Sequence, residues 1–246
     1  GLTFHDGYEN SIKTDFSTTV DEGDDTNTKL VKAHGSLMVL AWLFAIPVAA
    51  LFARFLRAHW PTNKPFGLAI WFHVHRMSNI LGICLMIAGF VCIFIMTGWK
   101  WTGVGSKGND WIITHSTVGI ISVVLAWAQP FISILRCDPQ NPRRPIFNWV
   151  HRMIGVTAFI LAVTAISIAS FHFQVWSNYV PQLVISLIPV ATIFILFIVM
   201  GIVDSKMRVH EKNIMQVHAI RLTCVFIAIS VCAACSIALV VMLIIA

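Results

Sequence analysis

Long apolar stretches separated by short polar loops dominate the pattern of this chain. Six such stretches occupy residues 32–57, 66–97, 110–136, 145–171, 181–203 and 216–246. A helix needs about 20 mostly apolar residues to cross the hydrocarbon core of a membrane, and each stretch is long enough. The pattern therefore predicts an all-α, polytopic membrane protein with six transmembrane helices.

The first 31 residues have a different composition. They are polar, and they hold most of the acidic residues of the chain: Asp6, Glu9, Asp15, Asp21, Glu22, Asp24 and Asp25. A segment with so little apolar surface does not form a core of its own. We therefore expect residues 1–31 to be a polar tail or linker, and residues 32–246 to form one transmembrane domain.

Charge supports a membrane protein and indicates its orientation. Only 11% of the residues are charged, whereas a soluble domain carries about 25%. The net charge of +6 does not indicate nucleic-acid binding, because the basic residues cluster in short loops.

The distribution of basic residues indicates the orientation. We call the membrane side that holds the N-terminus side A, and we call the opposite side side B. Side B carries most of the Lys and Arg: Arg54, Arg57, Lys64, Arg136, Arg143, Arg144, Lys206, Arg208 and Lys212. Since such residues concentrate in cytoplasmic loops, we expect the N-terminus to be extracytoplasmic, in the plasma membrane or an endomembrane.

Four histidines, one in each of the first four stretches, match in depth by pairs. His34 and His115 lie near the start of stretches that begin on side A, and His75 and His151 near the start of stretches that begin on side B. At 1.5 Å rise per residue, the two layers are roughly 20 Å apart. Ionisable residues are costly inside a bilayer and indicate function, although a single histidine could equally be a packing residue.

Two histidines that face each other across a helix bundle can bind one haem iron from both faces. The pattern therefore predicts two haem b groups in a four-helix core over residues 32–171, with two extra helices over 181–203 and 216–246. Two axial imidazoles leave the iron no open position, which suits electron transfer rather than oxygen binding. The chain contains no Cys-x-x-Cys-His sequence, so covalent haem attachment is not expected.

Residues next to the histidines fit the same interpretation. Gly119 and Gly155 each lie four positions after a histidine and are candidates for a flat haem slot, although membrane helices also use glycine for close packing. Arg76 and Arg152 each directly follow a side-B histidine and are candidate partners for haem propionates. The alternative for both arginines is that they extend to the cytoplasmic head groups.

The stretches around the histidines resemble a known family. KAHGSLMVLAWL contains His34, WFHVHRM contains His75, ITHSTVGI contains His115 and NPRRPIFNWVHRMIG contains His151. They are similar to the cytochrome b561 superfamily over residues 32–170, and most similar to its ferric-chelate reductase 1-like branch, also called stromal cell-derived receptor 2. In that branch an extracellular DOMON domain precedes the cytochrome b561 core, and residues 1–31 would be the linker that followed such a domain.

The resemblance implies a function and a set of partners. It implies haem pairs His34 with His115 and His75 with His151, a cytoplasmic reductant that is commonly ascorbate, and an outer acceptor such as ferric chelate or monodehydroascorbate. Ascorbate-using members carry a Lys shortly before the second histidine, where this chain has Trp71, Phe72 and His73. The candidates for the cytoplasmic substrate site are therefore Arg54, Arg57, Arg143 and His73, and the candidate for the outer site is His172.

Two other classes of function stay open. A histidine-lined metal-ion or proton transporter without haem would place carboxylates among the histidines, but the first four stretches contain Asp or Glu only at their ends. A membrane scaffold would use the histidines for packing alone. The sequence also leaves open whether the protein forms a homodimer in the lipid.

Overall fold

A computed structural model describes residues 22–138, 140–172, 179–209 and 214–245. The described residues are helical and contain no strand: α1 (Glu22–Val39), α2 (Ile46–Phe55), α3 (Ile70–Met96), α4 (Asp110–Ile134), α5 (Arg144–His172), α6 (Val180–Val209) and α7 (Ile214–Ile245). A π-helical turn, Leu40–Ala45, joins α1 and α2 into one continuous helix. The structure thus has 6 helices long and apolar enough to cross a membrane, which confirms the predicted all-α, six-helix membrane fold.

The first helix begins earlier than the first apolar stretch. Its described part starts at Glu22, so residues 22–31 of the predicted tail are helical, while residues 1–21 of that tail lie outside the described part. Extending a helix that has already formed adds one backbone hydrogen bond for each residue fixed. A polar segment can therefore continue a transmembrane helix beyond the apolar region that stabilises it.

Proline explains the wide turn inside the first helix. Pro47 has no N–H group, and its ring excludes the carbonyl of the residue four positions earlier from its usual place. The turn over Leu40–Ala45 lies directly before it, and the N–H group of Ile46 bonds to the carbonyl of Ala41, five positions back. The helix accommodates the proline by widening and does not break.

Two helix pairs form the core of the bundle. The first helix packs along α3, and α4 packs along α5. The pairs meet in a layer of buried apolar side chains in the middle part of the bundle: Met38, Ala41, Trp42, Met86, Val123, Ala126, Ala158 and Ala162. Helices α6 and α7 pack together, and α7 also lies against the first helix. The outer faces of the bundle expose large apolar side chains such as Ile80, Val124 and Phe194, as expected of surfaces that face lipid.

Candidate functional site

The structure brings the four histidines together as two pairs. His34 of α1 and His115 of α4 form pair A, with ring centres 6.3 Å apart and ring planes at 77°. His75 of α3 and His151 of α5 form pair B, with ring centres 6.3 Å apart and ring planes at 66°. Each pair joins one helix from each half of the core. The apolar layer of the bundle lies between the two pairs.

The distance between the rings fits a shared metal atom. An imidazole nitrogen lies about 1 Å from its ring centre and binds a metal at about 2 Å. Two imidazoles on opposite faces of one metal atom therefore have ring centres about 6 Å apart. Both pairs have this spacing, at 6.3 Å. The rings of Phe52 and Phe226 are also 6.3 Å apart, so the spacing indicates a shared metal only because both members of each pair are histidines.

Three of the four rings are held through the nitrogen Nδ1. The Nδ1–H group of His34 donates to the carbonyl of Gly89 at 2.9 Å, and that of His115 donates to the carbonyl of Ala165 at 2.9 Å. In pair B, the Nδ1–H group of His75 donates to the carbonyl of Ala49 at 2.9 Å. A histidine that binds a metal through Nε2 commonly donates its other N–H group in this way. The arrangement fixes the tautomer in which Nε2 carries no proton and can act as a ligand; at His75, Nδ2 of Asn79 also lies 3.4 Å from Nε2.

His151 is held differently. Its Nδ1 is buried and has no hydrogen-bond partner among the described residues. Its ring stacks against Phe147, with ring centres 5.9 Å apart, and its backbone carbonyl accepts a bond of 3.1 Å from Nε2 of Gln129. Gln129 was missed by the sequence analysis. An amide side chain deep in an apolar helix is itself a signal, because buried polar groups are costly unless they have a role.

The two candidate slot glycines have different surroundings. A Cβ added at Gly119 would meet no atom of the described residues within 4 Å, so this side of α4 opens onto free space. A Cβ added at Gly155 would lie 3.6 Å from Nε2 of Gln129. Gly119 therefore leaves room for a flat group beside pair A, whereas Gly155 borders the amide of Gln129.

Basic and aromatic side chains gather around pair B. Arg57 lies over the ring of Trp71 at 4.7 Å, and Arg136 lies over the ring of Phe72 at 5.0 Å. Arg76 lies near the same phenylalanine at 6.0 Å. The described residues contain no carboxylate paired with Arg57, Arg76 or Arg136. Such a group of cations presents a binding surface for an anion.

Arg136 is the second residue that the sequence analysis missed as a site candidate, since it was taken only as a marker of orientation. Burial, followed by the charges of Arg144 and Arg57, lowers the pKa of Arg136 from its ordinary value. Arg144 is buried and structural, because its guanidinium group donates to the carbonyl of Cys137 and to Oδ1 of Asn148. The mutual repulsion of these arginines would be relieved by a bound anion.

The remaining candidates on side B contact other residues than Trp71 and Phe72. Arg54 packs over Phe55 and Phe197. Nε2 of His73 lies 2.8 Å from the carbonyl of Pro65 and donates to it. Arg143 and Arg152 are exposed, and the backbone N–H group of Arg143 donates to Oδ1 of Asn141.

His172 lies on side A, at the end of α5. Its ring stacks in parallel on Trp111, with ring centres 5.1 Å apart and planes at 5°. Trp111 lies one turn before His115 on α4. An exposed imidazole is thereby held at the membrane surface above pair A.

Neither histidine pair has a third protein ligand among the described residues. Across the part of the chain that the structure describes, no group of three or more His, Cys, Asp or Glu side chains could hold a metal ion. A free zinc ion typically takes four ligands. Haem iron needs only two from the protein, because the porphyrin supplies the other four. The donor set therefore fits haem better than it fits a bare metal ion.

Comparisons with known proteins agree on one family. The model of the family described as eukaryotic cytochrome b561 matches residues 33–178, a range that contains all four histidines. The chain is similar to ferric-chelate reductase 1 of Mus musculus, with 37% identity over 161 residues, which is 64% of this chain and 25% of the relative. It is also similar to ferric-chelate reductase 1 of Homo sapiens, with 36% identity over 143 residues, 58% of this chain and 23% of the relative.

The name of a plant relative mentions two domains, cytochrome b561 and DOMON. This relative is a cytochrome b561 and DOMON domain-containing protein of Arabidopsis thaliana, 29% identical over 140 residues, which is 57% of this chain and 34% of the relative. The chain spans about a quarter of the length of the ferric-chelate reductases it matches. No solved structure matches the chain significantly.

Proposed function

Because the chain belongs to the eukaryotic cytochrome b561 family, we propose that it carries electrons across the membrane through two haem b groups. Family membership implies that the chain binds haem b. In the proposal, His34 and His115 hold one group and His75 and His151 hold the other. Haem iron with two axial imidazoles accepts and releases one electron at a time. The observation that carries the proposal is the repeated 6.3 Å spacing of two histidine pairs at two depths.

The protein's own contribution is to hold and orient the imidazoles. Backbone carbonyls of Gly89, Ala165 and Ala49 orient three of the rings. Gly119 leaves free space on the surface of α4 one turn away from a ligand, whereas Gly155 lies beside the amide of Gln129. Arg76 and Arg152 follow the ligands of pair B, and their guanidinium groups suit the propionates of the haem on that side.

The basic group on side B supports an anionic electron donor, and we propose cytoplasmic ascorbate. Arg57 and Arg136 are held over aromatic rings and have no carboxylate partner among the described residues, so they are available to an anion. Of the other candidates, His73 and Arg143 lie at the cytoplasmic mouth, and Arg54 contributes long-range attraction. Side B is then cytoplasmic, and the N-terminus is extracytoplasmic.

On side A the proposed acceptor is a ferric chelate or monodehydroascorbate. Two of the similar proteins are named ferric-chelate reductases. The exposed ring of His172, stacked on Trp111, lies where an acceptor would approach pair A. In the full-length protein a DOMON domain would precede the chain on this side.

Haem content and reduction by ascorbate test the proposal. The purified protein in detergent is analysed by the pyridine haemochrome method, and its visible spectrum is recorded before and after ascorbate is added. We expect two haems per chain and sharp low-spin bands after reduction. His34→Ala and His75→Ala should each lose one haem, whereas His73→Ala, two residues from a ligand, should keep both.

The outcomes separate the alternatives. Two haems that dithionite reduces but ascorbate does not would retain the ligands and exclude the donor. A folded, monodisperse sample without haem would overturn the proposal and favour the histidine-lined metal-ion or proton transporter. A vesicle assay, with ascorbate enclosed and ferric chelate outside, then tests transfer across the membrane.

A further inference from the structure

His151 differs from the other three histidines in having no partner for Nδ1. The rings of His34, His75 and His115 each donate this N–H group to a backbone carbonyl of a neighbouring helix. The Nδ1 atom of His151 is buried and without a partner among the described residues. If Nε2 binds a metal, Nδ1 must carry the proton. A buried N–H group then needs an acceptor.

Gln129 offers such an acceptor. Its Nε2 donates to the backbone carbonyl of His151 at 3.1 Å, so the amide already touches this residue. Its Oε1 is buried and also has no partner in the described part of the chain. A Cβ added at Gly155 would lie 3.6 Å from Nε2 of Gln129, so the amide lies beside this turn of α5. One donor and one acceptor, both buried and both unsatisfied, therefore belong to two residues in direct contact.

Other polar side chains near pair B have contacts of their own. The amide of Asn79 donates to the carbonyl of His75 at 2.7 Å. Phe147 covers one face of the His151 ring but offers no acceptor in the ring plane. The guanidinium group of Arg144 donates to Cys137 and Asn148, and an arginine side chain cannot accept a hydrogen bond.

We propose that Gln129 is a positioning residue for His151, with its Oε1 accepting the Nδ1–H group of His151 when Nε2 is a haem ligand. The inference rests on the proposed function. The proposal requires the amide of Gln129 to rotate so that Oε1, rather than Nε2, faces His151. Three ligands would then be oriented by backbone carbonyls, which no substitution removes, and one by a side chain.

A side-chain acceptor at His151 would allow the reduction potential of the side-B haem to be adjusted by substitution. A hydrogen bond from a ligating imidazole to an acceptor makes the imidazole more basic. A more basic ligand stabilises the oxidised iron and lowers the reduction potential of that haem. Position 129 would therefore set the potential of the side-B haem independently of the side-A haem.

The test is a spectroelectrochemical titration of both haems in the full chain. Gln129→Leu removes the acceptor and should raise the midpoint potential of one haem. Gln129→Glu supplies a stronger acceptor and should lower the potential of the same haem. The other haem should keep its potential in both variants. The His75→Ala variant, which lacks the side-B site, shows which potential belongs to that site.

Controls separate hydrogen bonding from packing. Ser133→Ala removes a hydroxyl group that donates to the backbone carbonyl of Gln129, and it leaves the amide in place. It should change neither potential. If Gln129→Leu loses the side-B haem altogether while Gln129→Glu keeps it, the acceptor role is supported as well. Electron paramagnetic resonance of the oxidised protein, which reports the axial ligands directly, should change for one haem only.

Several results would overturn the inference. They are unchanged potentials in both glutamine variants, shifts in the same direction in both, or loss of the side-B haem from both. Each indicates a packing role or no role for Gln129, while two bound haems would leave the proposed function intact. Absence of haem from the unsubstituted protein would overturn the proposed function and this inference together.

Discussion

The imidazole of His34 and the backbone carbonyl of Gly89 are joined by a hydrogen bond of 2.9 Å across the contact between α1 and α3. A Cβ added at Gly89 would lie 3.1 Å from Cε of Met38 and 3.4 Å from Cβ of Leu37. The glycine therefore allows α3 to approach α1 closely enough for its carbonyl to hold the ring. Close helix packing and ligand orientation depend on the same position.

Gly89→Val should disturb pair A. The added side chain pushes α3 away from α1, at a cost of about 1–3 kcal/mol for overpacking, and weakens the bond to His34. We expect the variant to lose the side-A haem and keep the side-B haem, as measured by haem content per chain. Gly201→Val on α6 is the control, because a Cβ there would meet nothing within 4 Å in the described residues. Full haem content in Gly89→Val would contradict this role.

Gly119 tests whether the free space beside α4 is used. A Cβ added at Gly119 would meet no described atom within 4 Å, so we expect Gly119→Leu to leave the packing of the protein without haem largely unaffected. If a porphyrin occupies the space, the leucine should exclude it and the side-A haem should be lost. Gly119→Ala adds only one methyl group and should retain more haem. Equal haem content in the leucine variant and the unsubstituted protein would show that the space is not the haem slot.

Arg136 tests the site proposed for the anionic donor. Arg136→Gln removes one charge-assisted contact, which is worth about 1.5–3 kcal/mol. We expect the KM for ascorbate to rise roughly tenfold or more, with the haem content unchanged. Stopped-flow reduction at several ascorbate concentrations measures the effect. Arg54→Gln is the matched control, since this guanidinium group packs over Phe55 and Phe197, and its KM should change much less.

His172 tests the proposed acceptor site on the opposite face. His172→Ala should slow the reduction of a ferric chelate added to side A, while haem content and reduction by ascorbate stay as in the unsubstituted protein. Trp111→Phe keeps an aromatic ring beneath the imidazole and serves as the control for the stacking contact. An unchanged rate in His172→Ala would remove this residue from the acceptor site.

The depths of the histidines could be predicted because chain direction alternates at each crossing. That rule places His34 with His115 and His75 with His151 without knowledge of how the helices pack. The identity of the orienting groups could not be predicted in the same way. Whether the carbonyl of Ala165 or that of a neighbouring residue faces a ring depends on helix rotation, and every residue carries the same carbonyl.

Gln129 and Arg136 show a different limit of prediction from the sequence. Both carry polar side chains whose residue type could have drawn attention. Their proximity to pair B, however, arises from the contact of α4 with α5 and from the chain reversal after α4. The start of α1 at Glu22 likewise depends on a helix that is stabilised elsewhere and continues into a polar segment.

The apolar layer between the two pairs has an electrical consequence. The described residues of this layer, among them Met38, Trp42, Met86 and the surrounding alanines, include no titratable side chain through which a proton could follow an electron. Each electron that moves from side B to side A would therefore carry its charge across uncompensated. Where side B is the negative, cytoplasmic face, a membrane potential of 100 mV adds about 2.3 kcal/mol of driving force to each transfer. Turnover would depolarise the membrane, and the driving force for turnover would depend on the resting voltage.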